Sequence, residues 1–185
     1  MFKKRYIALI ICMIFLTSCS GEKQIYSPDK SMKLVTRVED NSIILSIYSK
    51  NGTLLYSENT EISDRHRWNI KWHSNKRIIL HSSDIGYTEW MKQSDGSWEK
   101  GDPLEKISPD GKLIISWYSG EGRVAITIYD INEPTNALYN TKTDIQVSEL
   151  IDCLEWDGND RFILKADDGL HYWEKQLDDT WKKVD

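Results

Sequence analysis

Three cysteines in 185 residues, Cys12, Cys19 and Cys153, are too few for a disulfide-stapled scaffold. Basic charge is also short: 24 Lys and Arg face 29 Asp and Glu, for a formal charge of −5. A chain of that sign lacks the electrostatic footprint of a nucleic-acid binder, or of a protein that rides on anionic lipid by charge alone. Long apolar runs are missing as well. The one sustained run, Tyr6 to Leu16, has eleven residues, whereas a helix crossing a hydrocarbon core needs about 20. Elsewhere no window keeps an apolar helical period over several turns, so little helix is expected.

Signatures of catalysis and metal binding are absent too. There is no G-x-S-x-G elbow, no H-E-x-x-H and no G-x-x-x-x-G-K-[ST] loop. None of the four histidines, His66, His73, His81 and His171, pairs with another at a zinc-like spacing. Asp157-Gly158-Asn159-Asp160 and Asp167-Asp168-Gly169 lack the order of a calcium loop, and acidic residues are ordinary in turns. No metal and no cofactor is expected. Any two of the 29 carboxylates could meet in space as a catalytic pair, but nothing singles one pair out.

What is present begins with residues 1–18. A basic start, Lys3-Lys4-Arg5, precedes the apolar run, and small residues follow it. That is the layout of a secretory signal peptide. Leu16-Thr17-Ser18-Cys19 resembles the lipobox of bacterial lipoproteins, in which a branched apolar residue and two small ones precede a cysteine. The resemblance implies cleavage before Cys19, diacylglycerol on its sulfur, and usually acylation of the new amino terminus. Two or three chains make a lasting anchor where one binds marginally.

Ser20 follows that cysteine in place of the Asp that signals inner-membrane retention in enteric-type bacteria. By resemblance, the destination is the periplasmic face of the outer membrane, or the cell membrane in a Gram-positive host. Residues 19–24 read as a short lipidated tether. Loss of Lys3, Lys4 and Arg5 leaves 21 basic residues against 29 acidic, so the mature chain carries −8. With Cys12 removed and Cys19 alkylated, Cys153 is the lone free thiol, in an apolar stretch that reads as core.

Residues 25–185 read as one all-β domain built from two repeats, about 26–100 and 107–183. Ser27-Pro28-Asp29 returns as Ser108-Pro109-Asp110, Ile47-Tyr48 as Ile128-Tyr129, and Leu55-Tyr56 as Leu138-Tyr139. Trp72, Asn75, Arg77, Ile79 and Leu80 match Trp156, Asn159, Arg161, Ile163 and Leu164. The series from Asp84 to Lys100, with Trp90 and Trp98, matches that from Asp167 to Lys183, with Trp173 and Trp181.

Within each copy, runs rich in β-branched and aromatic residues predict strands over 43–48, 77–81, 112–117, 124–129 and 161–165. Asn51-Gly52, Asp95-Gly96, Asp110-Gly111 and Asp157-Gly158 supply the positive φ that tight turns need.

Ser108-Pro109-Asp110-Gly111-Lys112 before Leu113-Ile114-Ile115-Ser116 resembles the turn-plus-strand repeat of propellers in the Tol-system translocation protein and, more loosely, of WD-repeat propellers. Trp156-Asp157-Gly158-Asn159 and Trp72-His73-Ser74-Asn75 look like variants of that turn. The resemblance implies four antiparallel, blade-like units of about 40 residues. It departs from the family in unit number and in Lys30, which stands where the turn has glycine. A small four-unit propeller, an open stack and a two-sheet sandwich all stay open.

Positions shared by both copies are those the fold requires, so the six matched tryptophans are expected in the core or locking turns. Unshared positions are freer to carry function. They include Asp64 to Trp68, in which Arg65, His66, Arg67 and Trp68 have a composition that dominates binding at protein interfaces, and the segment from Trp117 to Gly122. A solvated turn with Trp68 tucked inward is the alternative. The expectation is a non-enzymatic, periplasm-facing binding module with a protein partner in the envelope, such as an immunity or inhibitor protein. A glycan-binding module and an envelope enzyme are the alternatives.

Overall fold

A computed structural model describes residues 22–120 and 122–184; the leader and Cys19 lie outside them. Among the described residues there are sixteen strands and no helix, hence none long and apolar enough to cross a membrane. The chain divides into two compact units between Lys100 and Gly101, one on each sequence repeat.

Each unit holds two four-stranded antiparallel sheets. In the first they are β1 (Lys23–Tyr26), β2 (Met32–Glu39), β3 (Ser42–Ser49) and β4 (Leu54–Ser63), then β5 (Trp68–Ser74), β6 (Arg77–Ser82), β7 (Gly86–Lys92) and β8 (Trp98–Gly101), each sheet in simple chain order. In the second they are β9 (Glu105–Ile107), β10 (Leu113–Gly120), β11 (Arg123–Asp130) and β12 (Glu133–Lys142), then β13 (Leu154–Trp156), β14 (Arg161–Ala166), β15 (Gly169–Lys175) and β16 (Trp181–Val184). Four meanders of blade type result, as the repeat predicts, and the five predicted strands fall on β3, β6, β10, β11 and β14.

One core lies within each unit. Leu34, Ile43, Leu45 and Ile47 of the first sheet meet Ile70, Ile78, Leu80 and Trp90 of the second, all at 1% exposure or less. Their counterparts Ile115, Val124, Ile126, Ile128, Leu154, Phe162, Leu164 and Trp173 do the same in the second unit. Fully burying one such side chain is worth roughly 1.5–3 kcal/mol, so these clusters decide which face of each strand turns inward. Trp173 lies flat on Phe162, with centroids 5.2 Å apart and planes 8° from parallel.

The repeat is a repeat of hydrogen bonds as well as of letters. Hairpin β2–β3 pairs Met32 with Ser49 through Glu39 with Ser42, and β10–β11 pairs the corresponding Leu113 with Asp130 through Gly120 with Arg123. Trp72 donates its indole N–H to the Ile25 carbonyl at 3.1 Å, linking β5 to β1; Trp156 donates to that of Lys106 at 3.0 Å, linking β13 to β9. Asn75 accepts the Asp29 backbone N–H, and Asn159 that of Asp110, both at 3.0 Å. The two indole bonds give half-buried donors a partner, and all four contacts join the two sheets of a unit.

Positive φ falls on Gly52, Gly96, Gly111 and Gly158, as the turn dipeptides predict. Lys30 holds the place of Gly111, with φ of 57° against 74°, so the first copy keeps the backbone shape after losing the glycine that suits it. One expectation needs correction: Lys23 and Gln24, read as tether, belong to β1 and pair with Thr36 and Val35. Pairing there satisfies backbone groups of β2 that would otherwise form a bare edge.

Candidate functional site

Arg65, His66 and Arg67 are exposed on the turn between β4 and β5. His66 Nε2 stands 3.7 Å from Asp84 Oδ2, and the Ser82 hydroxyl is the main group holding the Asp84 carboxyl below its ordinary range. Trp68 begins β5 and is half-buried against the first unit's core, so its ring is shared between surface and interior.

Trp117 is a correction to the sequence reading. It is 1% exposed within the second unit's core, and its indole N–H donates to the Leu150 carbonyl at 2.9 Å. Alternation along β10 puts the neighbouring side chain outside, so Tyr118, 52% exposed, occupies the surface position expected of Trp117. Cys153 is also buried, and burial pushes its thiol up to about 11, leaving it protonated at neutral pH.

A groove of three adjoining clefts crosses the second unit. The first, of about 390 Å³, is lined by Tyr118, Gly120, Arg123, Lys142 and Asp144 among others. It shares Lys142, Thr143 and Asp144 with the second, of about 310 Å³, which Tyr139, Thr141, Trp173 and Lys183 complete. The third, of about 370 Å³, extends past Lys183 to Asp167, Asp168 and His171. Gly120 helps to open the first cleft. Its register counterpart in the other unit is Glu39, and a Cβ at Gly120 would meet only the Tyr118 ring, at 3.8 Å.

The charges of this groove are unevenly committed. Asp167 accepts from the Ser148 backbone N–H and hydroxyl, both at 2.9 Å, and Asp168 lies 2.8 Å from His171 Nε2. The His171 contact is the main cause holding the Asp168 carboxyl below its ordinary range. Among the described residues Arg123, Lys142 and Lys183 have no ion-pair partner within 4 Å, and of the groove's carboxylates only Asp144 is similarly unengaged. An acidic chain therefore presents a local surplus of uncommitted cations.

The corresponding place in the first unit is filled. There the Glu58 carboxylate of β4 accepts from the Tyr56 hydroxyl, from Trp90 Nε1 at 2.9 Å and from Lys100 Nζ at 2.8 Å. Burial pushes the Glu58 carboxyl up, but the three donors, Lys100 foremost, outweigh it and hold the group below its ordinary range. Burial, with Glu58 beside it, drives the Tyr56 hydroxyl up to about 12. Sequence reading missed this cluster. The available signal was a mismatch inside a matched run, Tyr56-Ser57-Glu58 against Tyr139-Asn140-Thr141.

Among the described residues, no three His, Cys, Asp or Glu side chains converge as a metal site would require. The acidic turns have other occupations: Asn159 holds the Asp110 N–H, and Asp157 lies 3.4 Å from Arg161.

No family model and no curated protein matches the chain. It is similar in structure to a functionally unknown protein from Desulfotomaculum acetoxidans DSM 771, with a TM-score of 0.36 and 14% identity over 88% of this chain and 54% of that one. It is similar also to an uncharacterized protein from Listeria monocytogenes EGD-e, with a TM-score of 0.37 and 14% identity over 88% and 52% of the two chains. The chain thus spans about half the length of these solved proteins.

Proposed function

We propose that this chain is an envelope lipoprotein, held by lipid on Cys19, whose folded part is a non-enzymatic module that binds a protein. The observation that carries the binding reading is the groove of the second unit, which opens where the two repeats differ. Residues common to both copies supply the core and turns. Tyr118, Gly120 and Arg123, which replace Arg37, Glu39 and Ser42, supply an exposed aromatic ring, space and a cation instead. Tyr and Arg are the types that anchor protein interfaces. The lipobox-like Leu16 to Cys19 and the Ser20 after it support placement on the periplasmic face of the outer membrane.

Capture from envelope extract by the immobilised protein, read by mass spectrometry, tests this reading. Gly120→Glu restores the side chain that the first copy carries at this register position, and Gly120 has no positive φ to forbid it. The expected result is one dominant protein captured by the wild type and lost with this variant at unchanged thermal stability. Capture unaffected by Gly120→Glu removes the groove from the interface. The exposed Tyr118 face also favours a glycan as second reading, since sugar rings stack on such surfaces. Quenching of Trp fluorescence by peptidoglycan fragments, with no protein captured, would replace the first reading by that one.

A further inference from the structure

The two repeats solve the same local problem in two ways. In the first unit Tyr56 pairs with Ile47 and Glu58 with Leu45; in the second Tyr139 pairs with Ile128 and Thr141 with Ile126. Trp90 opposite Ile78 corresponds to Trp173 opposite Phe162, and Lys100 to Lys183. The donors of the first unit, a tyrosine hydroxyl, an indole N–H and a lysine ammonium, therefore recur at the same register positions of the second. The carboxylate does not recur, because Thr141 stands where Glu58 does.

The consequence is visible in the space and in the hydrogen bonds. Tyr139, Thr141, Trp173 and Lys183 line an open cleft of about 310 Å³. Trp173 lines this cleft, and its indole N–H meets no acceptor among the described residues, whereas that of Trp90 is met by Glu58. That N–H is not sealed from solvent, so it stays free to donate to an acceptor that enters the cleft. Thr141 is too short to act as Glu58 does. Lys142 and Asp144 also line the cleft and offset one another in charge, which leaves Lys183 to set its sign. Asp168, in the adjoining cleft, feels Lys183 but is engaged by His171.

We propose that this cleft is a carboxylate-binding subsite, in which a carboxylate brought by the ligand takes the place that Glu58 occupies in the first unit. Trp173 Nε1 and Lys183 Nζ donate to it, with the Tyr139 hydroxyl as third donor. The inference rests on the binding-module reading for its source of carboxylate, an acidic side chain or a carboxy terminus of a protein. The recognition chemistry itself needs only the group.

The test uses the full chain in mild detergent, labelled with ¹⁵N at the tryptophan indoles, and two probes: N-acetylglutamate α-amide for a side-chain carboxylate and N-acetylglycine for a terminal one. The Trp173 indole signal, assigned from Trp173→Phe, should move downfield and saturate with at least one probe, and the preferred probe names the source. N-acetylglutamine α-amide should leave it unmoved. Lys183→Met should weaken the response about tenfold, a change of roughly 1.4 kcal/mol. Thr141→Glu should shift the same signal with no probe present and abolish the response, because the repeat's own carboxylate then fills the cleft.

An indole signal that stays in place with both probes, or a response that survives Thr141→Glu in a folded variant, overturns the proposal. The two readings fail separately. Carboxylate binding without protein capture leaves the subsite standing and removes the module's partner, whereas capture unaffected by Thr141→Glu does the reverse.

Discussion

The indole N–H of Trp156 on β13 donates to the backbone carbonyl of Lys106 on β9 at 3.0 Å, joining the two sheets of the second unit through one side chain. The same ring sits edge-on to Phe162 and Trp181, with centroids 6.1 and 5.9 Å away. Trp156→Ala should therefore cost on the order of 3 kcal/mol or more. Trp156→Phe, which keeps most of the ring and loses the donor, should cost about 1–2 kcal/mol. Because Trp72 makes the matching bond to Ile25, Trp72→Phe should cost a similar amount. Denaturant midpoints of the three variants check this, and a loss below about 0.5 kcal/mol for Trp156→Ala would show the ring to be idle.

Lys30 is a residue with a Cβ in left-handed backbone, where the second repeat uses Gly111. Relief of that strain, worth roughly 1–2 kcal/mol, exceeds the roughly 0.5–1 kcal/mol of unfolded-chain entropy that glycine adds. Lys30→Gly should raise stability by up to about 1 kcal/mol. Gly111→Lys should lower it. Opposite signs for the two substitutions, read from thermal midpoints, are the expected pattern, and equal signs would deny that the turns are equivalent.

Glu58 predicts a pH dependence with a definite sign. Its carboxyl is held below the ordinary value of 4.5 in the folded protein, so the unfolded chain binds the proton more readily. The stability it contributes is therefore fully present above that ordinary value and is lost as pH falls through the lower, folded one. The difference in stability between wild type and Glu58→Gln should be flat near neutrality and shrink in acid. A difference that stays constant into acid would mean that the carboxylate's charge contributes nothing to the cluster.

The proposed lipid anchor depends on one sulfur. Cys19→Ala should abolish acyl labelling, block cleavage before residue 19 and release the protein from the envelope pellet once the leader is removed by other means. Labelling with an alkyne fatty acid, read alongside membrane fractionation, checks it; undiminished labelling of the variant would refute the assignment.

Local chemistry made the strands and turns legible in advance. Runs rich in β-branched and aromatic residues such as Ile43 to Tyr48 and dipeptides such as Asn51-Gly52 act over a few residues, so their meaning survives without knowledge of the fold. Lys30 kept its turn against local preference because the surrounding bonds, Ser27 to Met32 and Asp29 to Asn75, determine that backbone from outside. Trp117 and Tyr118 mark where local reading ended: adjacent strand residues face opposite ways, and which of the two faces the core is set by sheets that only pack in three dimensions. The same holds for Arg65 to Trp68, whose composition resembled a contact patch while Trp68 leaned on the core.

The sequence by itself determined the repeat and the all-strand character, because each is written in neighbouring residues or in a comparison of the chain with itself. Only the tertiary structure decided that Tyr56, Glu58, Trp90 and Lys100, spread over 45 positions of chain, close on one carboxylate, and that Tyr139, Trp173 and Lys183 do not. That decision turns on one side chain, Glu58 against Thr141. Its weight comes from position: a carboxylate there engages three donors at once, whereas a threonine leaves the donors of the second unit facing an open cleft.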